Sequence, residues 1–85
     1  MIDVKIIENR GFVALCTITG DKREFEADLA RIRRIPASDR EFVSNAEPKY
    51  WRVRPADRYA KLVPEIDTAL TWHKRQMRFP TGESK

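Results

Sequence analysis

The sequence has few of the residues that form cross-links, metal centres or phosphate-binding loops. Its 85 residues include one cysteine, one histidine and three glycines. A single cysteine excludes an internal disulfide, and Cys16 lies in the apolar run FVALCTI, where a buried thiol is expected. One histidine and one cysteine cannot supply the usual ligands of a zinc site, and no Walker-type phosphate loop occurs. We therefore expect a protein that is not an enzyme, with no cofactor, no metal site and no catalytic residue.

Long hydrophobic runs are also missing. The longest stretch without a charged residue, residues 11–20, is far too short to span a bilayer. Charges interrupt every apolar stretch of the opening MIDVKIIENR, which is therefore unlike a signal peptide. These absences predict a cytoplasmic protein with no membrane partner.

The length of the chain limits what it can build. A chain of 85 residues fits one domain, and such a short chain buries roughly 60–65% of its unfolded surface. An enclosed catalytic pocket is hard to form with so small a core, whereas a binding surface is not. The sequence predicts a single α+β domain over residues 1–79 and a flexible tail over residues 80–85.

Positive charge is present in excess and unevenly distributed. Residues 1–30 contain four basic and six acidic side chains, whereas residues 31–85 contain thirteen and seven. Arginine outnumbers lysine eleven to six, and the planar guanidinium suits phosphates and stacks on bases. This asymmetry favours an acidic partner, with nucleic acid as the first hypothesis and a protein as the second.

Residues 2–19 have the pattern of a β-hairpin. Residues 2–7 and 12–19 are rich in β-branched and apolar side chains. Between them, Asn9-Arg10-Gly11 supplies residues that tolerate a positive φ.

A helix is predicted to follow this hairpin. Asp21 and Glu24 have the spacing of a capping box. Phe25, Leu29 and Ile32 recur at intervals of four and three, which predicts one apolar helical face.

Residues 37–47 allow two interpretations. Ser38 and Glu41 have capping-box spacing and could begin a short helix, or REFV is a strand of a second hairpin with SNAEP as its loop. We favour the hairpin, because the YWRVR that follows alternates in the manner of a half-buried strand. The expected order is therefore β-β-α-β-β-α, with antiparallel hairpins packed on helices.

The last apolar stripe, from Tyr59 to Met77, is interrupted by Pro64. A proline inside a helix removes a hydrogen bond and clashes with the preceding turn. We expect a kink, or two abutting helices, at or just before Val63.

Three motifs occur in order within residues 29–66: Arg34-Ile35-Pro36, Phe42, and the segment Trp51 to Pro55. In this order they resemble the small HepA-related (HARP-type) domain found beside Swi/Snf-type DNA translocases. Two positions depart from that pattern, since Ala37 stands where a glycine is common and Arg54 separates Val53 from Pro55. The resemblance implies binding to DNA with single-stranded or junction character. These 85 residues do not include a motor domain, so the resemblance implies nothing about remodelling.

The alternation in residues 50–54 predicts which side chains face outward. Trp51 and Val53 share one strand face and are expected in the core, whereas Tyr50, Arg52 and Arg54 point to the other face. An exposed tyrosine between arginines could stack on a base while the guanidiniums meet phosphates. An ordinary solvated face is the alternative.

Trp72 lies off the main stripe of the last helix, beside Lys74 and Arg75. The sequence leaves open whether it packs on the sheet edge or marks a partner surface.

The first hypothesis is a non-enzymatic nucleic-acid-binding module, with DNA favoured over RNA. The second is a small interaction module or inhibitor that docks on an acidic protein, and the third is a homodimer formed through an exposed strand edge. The candidate nucleic-acid-binding residues are Arg31, Arg33, Arg34, Tyr50, Arg52, Arg54, Arg58, Trp72 and Arg75.

Overall fold

The computed structural model describes residues 1–78, so the tail predicted over residues 80–85 lies outside the described part of the chain. The elements follow the predicted order β-β-α-β-β-α. Two short 3-10 helices supplement them, at Ala37–Asp39 and Ala56–Tyr59. The strands and α-helices are β1 (Ile2–Glu8), β2 (Phe12–Ile18), α1 (Lys22–Arg33), β3 (Arg40–Val43), β4 (Tyr50–Val53) and α2 (Pro64–Arg78).

The four strands form one antiparallel sheet in the order β1-β2-β4-β3. Each hairpin pairs its own two strands, and β2 joins the hairpins by pairing with β4. The preference for a second hairpin over a helix in residues 37–47 is therefore confirmed, although Ser38 lies in a 3-10 helix directly before β3. The arrangement leaves β1 and β3 as the outer strands.

The first turn has the backbone that its residues predict. Arg10 has φ 56° and Gly11 has φ 111°, values in the left-handed region that glycine adopts without a steric penalty. The two positive φ values reverse the chain between β1 and β2.

A capping box starts α1, as the spacing predicts. The Glu24 backbone N–H donates to Asp21 Oδ1 at 2.8 Å, and the Asp21 N–H donates to Glu24 Oε1 at 3.5 Å. Gly20, with φ 118°, precedes the cap, and a Cβ at this position would lie 2.9 Å from Glu24 Oε1. The turn into α1 therefore needs a residue without a side chain.

The core lies between one face of the sheet and the helices. Ala14, Cys16 and Val53 are fully buried on the sheet side, facing Ile32 of α1 and Ile66 of α2. Burial raises the pKa of the Cys16 thiol to about 12, so this cysteine is a core residue, as predicted, and not a nucleophile.

The apolar face predicted for α1 is only partly buried. Ile32 is fully buried, but Leu29 is half-buried and Phe25 is 42% exposed. The buried residues of α1 are instead Asp28 and Ile32. Asp28 can be buried because its carboxylate pairs with the N-terminal ammonium and with Arg31. Of the three residues predicted to share one apolar face of α1, only Ile32 is therefore fully buried.

Pro64 interrupts the last helical region, which confirms that prediction. A 3-10 helix ends at Tyr59, and α2 begins at Pro64 itself, where a missing N–H costs nothing. The Val63 N–H donates to the Tyr59 carbonyl at 2.9 Å, which closes the turn between the two. Within residues 1–78, no helix has the length and apolar character that crossing a membrane requires.

Candidate functional site

The sheet has a face covered by the helices and a face that they leave uncovered, here called the open face. The register pairs Cys16 with Trp51 and Ala14 with Val53, so these four side chains lie on the covered face. Successive strand residues point to opposite faces, and Arg52 therefore lies on the open face. The register confirms the prediction that alternate residues of β4 point to opposite faces of the sheet.

A row of side chains crosses the open face from one outer strand to the other. Lys5 is opposite Leu15, Leu15 is opposite Arg52, and Arg52 is opposite Glu41. Lys5 and Glu41 are exposed, whereas Leu15 and Arg52 are half-buried. Arg52 Nη1 lies 3.4 Å from Glu41 Oε1. The row therefore combines an apolar centre with two cations and one carboxylate.

Tyr50 lies two residues from Arg52 along β4 and is half-buried. It lines a recess of about 300 Å³ together with Leu15, Thr17 and the loop residues 46–48. The recess places an aromatic side chain and its hydroxyl next to the row of charges.

Three of the predicted arginines lie at or just after the C-terminal end of β4; we call Arg52, Arg54 and Arg58 the arginine cluster. Arg52 and Arg54 line a cleft of about 320 Å³ whose acidic members are Asp39 and Glu41. The backbone N–H of Arg54 donates to the Asp39 carbonyl at 3.0 Å. Arg58 Nη1 lies 3.2 Å from Asp39 Oδ2. The cleft thus mixes basic and acidic groups, with the basic groups in excess.

Asp39 also anchors the cluster to the core. The Tyr59 hydroxyl donates to Asp39 Oδ2, and this hydrogen bond raises the pKa of Tyr59. Since Tyr59 is buried and Asp39 half-buried, the carboxylate holds Arg58 near a fixed point of the fold.

Arg31 is engaged within the fold. Its Nη2 lies 2.7 Å from Asp28 Oδ1 and 2.7 Å from Glu65 Oε2, and its Nη1 donates to Glu65 Oε1 at 2.9 Å. The N-terminal ammonium is 2.7 Å from Asp28 Oδ2. These contacts lower the pKa of Glu65, mainly through Arg31, and that of Asp28, through the ammonium and then Arg31. Arg31 therefore ties α1 to α2.

The remaining predicted residues lie on the helices. Arg33 and Arg34 are exposed at the C-terminal end of α1, and Arg33 borders an outer groove that also contains Phe25. Trp72, 62% exposed, and the exposed Arg75 lie on α2. The structure places Arg52 and Arg54 on one cleft and Tyr50 on a separate recess near the start of β4. Arg58 approaches the cleft through its contact with Asp39.

An aromatic pair at the edge of the covered face was not included in the prediction. Phe42 is 47% exposed, and its ring centroid lies 4.7 Å from that of Trp51. The Arg40 guanidinium carbon lies 5.7 Å from the Trp51 ring. Trp51 packs against the core but is only half-buried. The alternation of Arg40 and Phe42 in REFV was the sequence signal for this pair.

Within residues 1–78, no cluster of three or more histidine, cysteine or acidic side chains could hold a metal ion. The fold and surface define a small α+β domain with an open sheet face. Comparison with protein-family models, curated proteins and solved structures found no match to this chain.

Proposed function

We propose that the protein is a non-enzymatic nucleic-acid-binding module that holds single-stranded or junction DNA on its open face. The observation that carries the proposal is the placement of Tyr50 and Arg52 on β4, beside Leu15, with Arg54 and Arg58 following the strand. Arginines supply contacts to phosphates, and an aromatic ring and apolar side chains supply surfaces on which bases stack.

The spacing along β4 supports a strand of nucleic acid as the ligand. Residues two apart on a strand lie about 6.5–7 Å apart on the same face. Tyr50, Arg52 and Arg54 therefore continue a line whose step is comparable to that between phosphates of an extended single strand. Lys5, exposed on β1, extends the positive charge across the sheet.

The distribution of charge agrees with this choice of partner. Residues 31–85 contain thirteen basic and seven acidic side chains, and the arginine cluster lies within them. The resemblance of residues 29–66 to HARP-type domains supports DNA over RNA and a single-stranded or junction form over a regular duplex. Arg31 is left out of the proposed surface, because Asp28 and Glu65 already surround its guanidinium.

The test is binding of labelled single-stranded, duplex and forked DNA, and single-stranded RNA, at several salt concentrations. Replacing Arg52 and Arg54 together by alanine should weaken binding and reduce the slope of log affinity against log salt by about one to two units. Tyr50→Ala should weaken single-strand binding by about 1–3 kcal/mol with little change in slope, because stacking releases no counterions.

The matched control is Arg33→Ala with Arg34→Ala, which removes the same charge at the C-terminal end of α1, outside the proposed surface on the open face. If this control weakens binding as much as the β4 pair, net charge alone explains the affinity. If the parent protein binds none of the nucleic acids at low salt, the proposal is wrong.

One observation favours a protein partner as a second candidate function. Phe25 is 42% exposed on α1, and it lies beside the half-buried Leu29 on the outer surface of this helix. Two basic residues, Lys22 and Arg33, and one acidic residue, Glu26, surround this apolar surface. The excess of positive charge suits a partner segment with both apolar and acidic side chains. Binding to such a partner would depend on Phe25 and would weaken less with salt than binding to phosphates.

A further inference from the structure

The outer strand β1 has a backbone edge that no other described strand covers. Two hydrogen bonds continue its ladder with β2 beyond both ends. The Thr19 N–H donates to the Met1 carbonyl at 2.8 Å, and the Asn9 N–H donates to the Gly11 carbonyl at 2.8 Å. Antiparallel pairs alternate between bonded and non-bonded residues, so the odd-numbered residues of β1 bond to β2.

The even-numbered residues therefore direct their backbone groups to the free edge. The N–H and C=O groups of Ile2, Val4 and Ile6 point away from β2 and are available to another strand. Their side chains lie on the covered face, while those of Asp3 and Lys5 lie on the open face and are exposed.

A groove runs alongside this edge. It has a volume of about 650 Å³ and is lined by β1 and by residues of α2 that include Thr68, Ala69 and Trp72. Trp72 is 62% exposed. A chain paired at this edge would close the open side of the groove and would cover Trp72, which would give the exposed tryptophan a packing partner.

We propose that the strand that occupies this edge is β1 of a second copy of the chain, paired antiparallel about a two-fold axis through Val4. Ile2 is then opposite the partner's Ile6, and Asp3 is opposite the partner's Lys5. Both copies contribute the backbone groups of Ile2, Val4 and Ile6, so every free group in the paired region has a partner.

Charge complementarity selects this register. Because the free backbone groups belong to even-numbered residues, even-numbered residues must pair with even-numbered residues of the partner. The alternative registers near this one therefore have their two-fold axis at Asp3, Lys5 or Ile6. The first two place like charges directly opposite each other, and the third places Lys5 opposite the partner's Ile7. Only the register centred on Val4 pairs Asp3 with Lys5, twice, at the non-hydrogen-bonded positions where side chains approach most closely.

The dimer does not depend on the proposed nucleic-acid binding. It would join two four-stranded sheets into one and make their open faces continuous.

Exchanging charges tests the register, because both side chains are exposed and their replacement should leave the fold intact. We expect the parent chain to dimerise in sedimentation equilibrium. In a dimer of Asp3→Lys, two lysines would be opposite each other at each paired position, and in a dimer of Lys5→Asp, two aspartates would be. The dissociation constant of each variant dimer should therefore be at least about tenfold higher than that of the parent. Mixing the two variants should restore a dimer that contains one of each, and the chain with both exchanges should dimerise as the parent does.

A circular dichroism spectrum and melting profile for each variant separate dissociation from unfolding. A monomeric parent at millimolar concentration would overturn the proposal. A dimer that persists in both single variants, or a mixture that fails to associate, would also overturn it, because the contact would then lie elsewhere.

Discussion

On the covered face of the sheet, Ala14, Cys16 and Val53 are fully buried, whereas on the open face Lys5 and Glu41 are exposed at the two ends of one row. The two sets alternate along the same strands, one residue apart. This difference separates two tasks, because the covered face supplies the burial that stabilises the domain and the open face supplies charge and aromatic surface. A substitution on one face should therefore leave the task of the other largely unchanged.

Val13 is an instructive exception. It is fully buried although its register places it on the open face, opposite Ile7. Leu15, two residues further along β2, is half-buried on the same face. The middle of the open face therefore contains a small apolar strip, and its charges lie mainly around this strip.

The largest expected effect comes from the helix layer over the covered face. Ile66 has no exposed surface, and Ile66→Ala should destabilise the domain by about 3–4 kcal/mol through lost burial and a cavity. Leu15→Ala, half-buried on the open face, should cost about 1 kcal/mol. Urea unfolding measures both losses of stability. Ile66→Val should lower the free energy of unfolding by only about 1 kcal/mol, so it provides a variant at this position that stays folded. Equal losses for the two alanine variants would contradict the distinction between the faces.

A smaller effect is expected from the ion pairs that join the helices. Arg31→Ala should cost about 1–2 kcal/mol near neutral pH, because it removes charge-assisted hydrogen bonds to Asp28 and Glu65. Both carboxyls have pKa values below their ordinary 3.8 and 4.5 in the folded protein. The stability that the two ionised carboxylates contribute is present at pH values above their ordinary pKa values. It is lost as the pH falls through the lower pKa values of the folded protein.

Unfolding free energies measured from pH 7 down to pH 3 test the predicted loss of stability in acid. The parent should lose stability more steeply than Arg31→Ala in the acid range, since the variant has less of the contribution to lose. Arg33→Ala, exposed two residues further along α1, is the matched control and should stay within about 0.5 kcal/mol of the parent. Parallel pH profiles for parent and Arg31→Ala would show that the ion pairs made by Arg31 do not stabilise the fold.

Local signals in the sequence were sufficient to predict the elements of the fold. The Asn9-Arg10-Gly11 turn, the Asp21–Glu24 capping box and the break at Pro64 depend on backbone geometry within a few residues, and the structure contains all three. The alternation in β4 likewise predicted that Trp51 and Val53 share a face, because the period of a strand is a local property.

The packing of distant elements was not predictable in the same way. Arg31 was placed on the binding surface, yet it pairs with Glu65, which is 34 residues away along the chain. The burial of Phe25 depends on the rotation of α1 against the sheet, which helical spacing does not determine. Trp51 was expected in the core but is half-buried, because it lies beside the outer strand, where Phe42 is itself exposed.

The smallest expected effect concerns the one acidic residue in the row across the open face. Glu41 is 3.4 Å from Arg52 Nη1, and its side chain is 68% exposed. An ion pair this exposed contributes about 0–1 kcal/mol, so Glu41→Gln should leave the melting temperature almost unchanged. It should nevertheless strengthen binding of single-stranded DNA about twofold to fivefold at low salt, because Arg52 is released for a phosphate and a repulsive charge is removed. Glu26→Gln makes the same charge change at an exposed position of α1 and should alter the affinity much less. If both variants strengthen binding equally, the open face has no special role, and the distinction between the two faces would be one of stability alone.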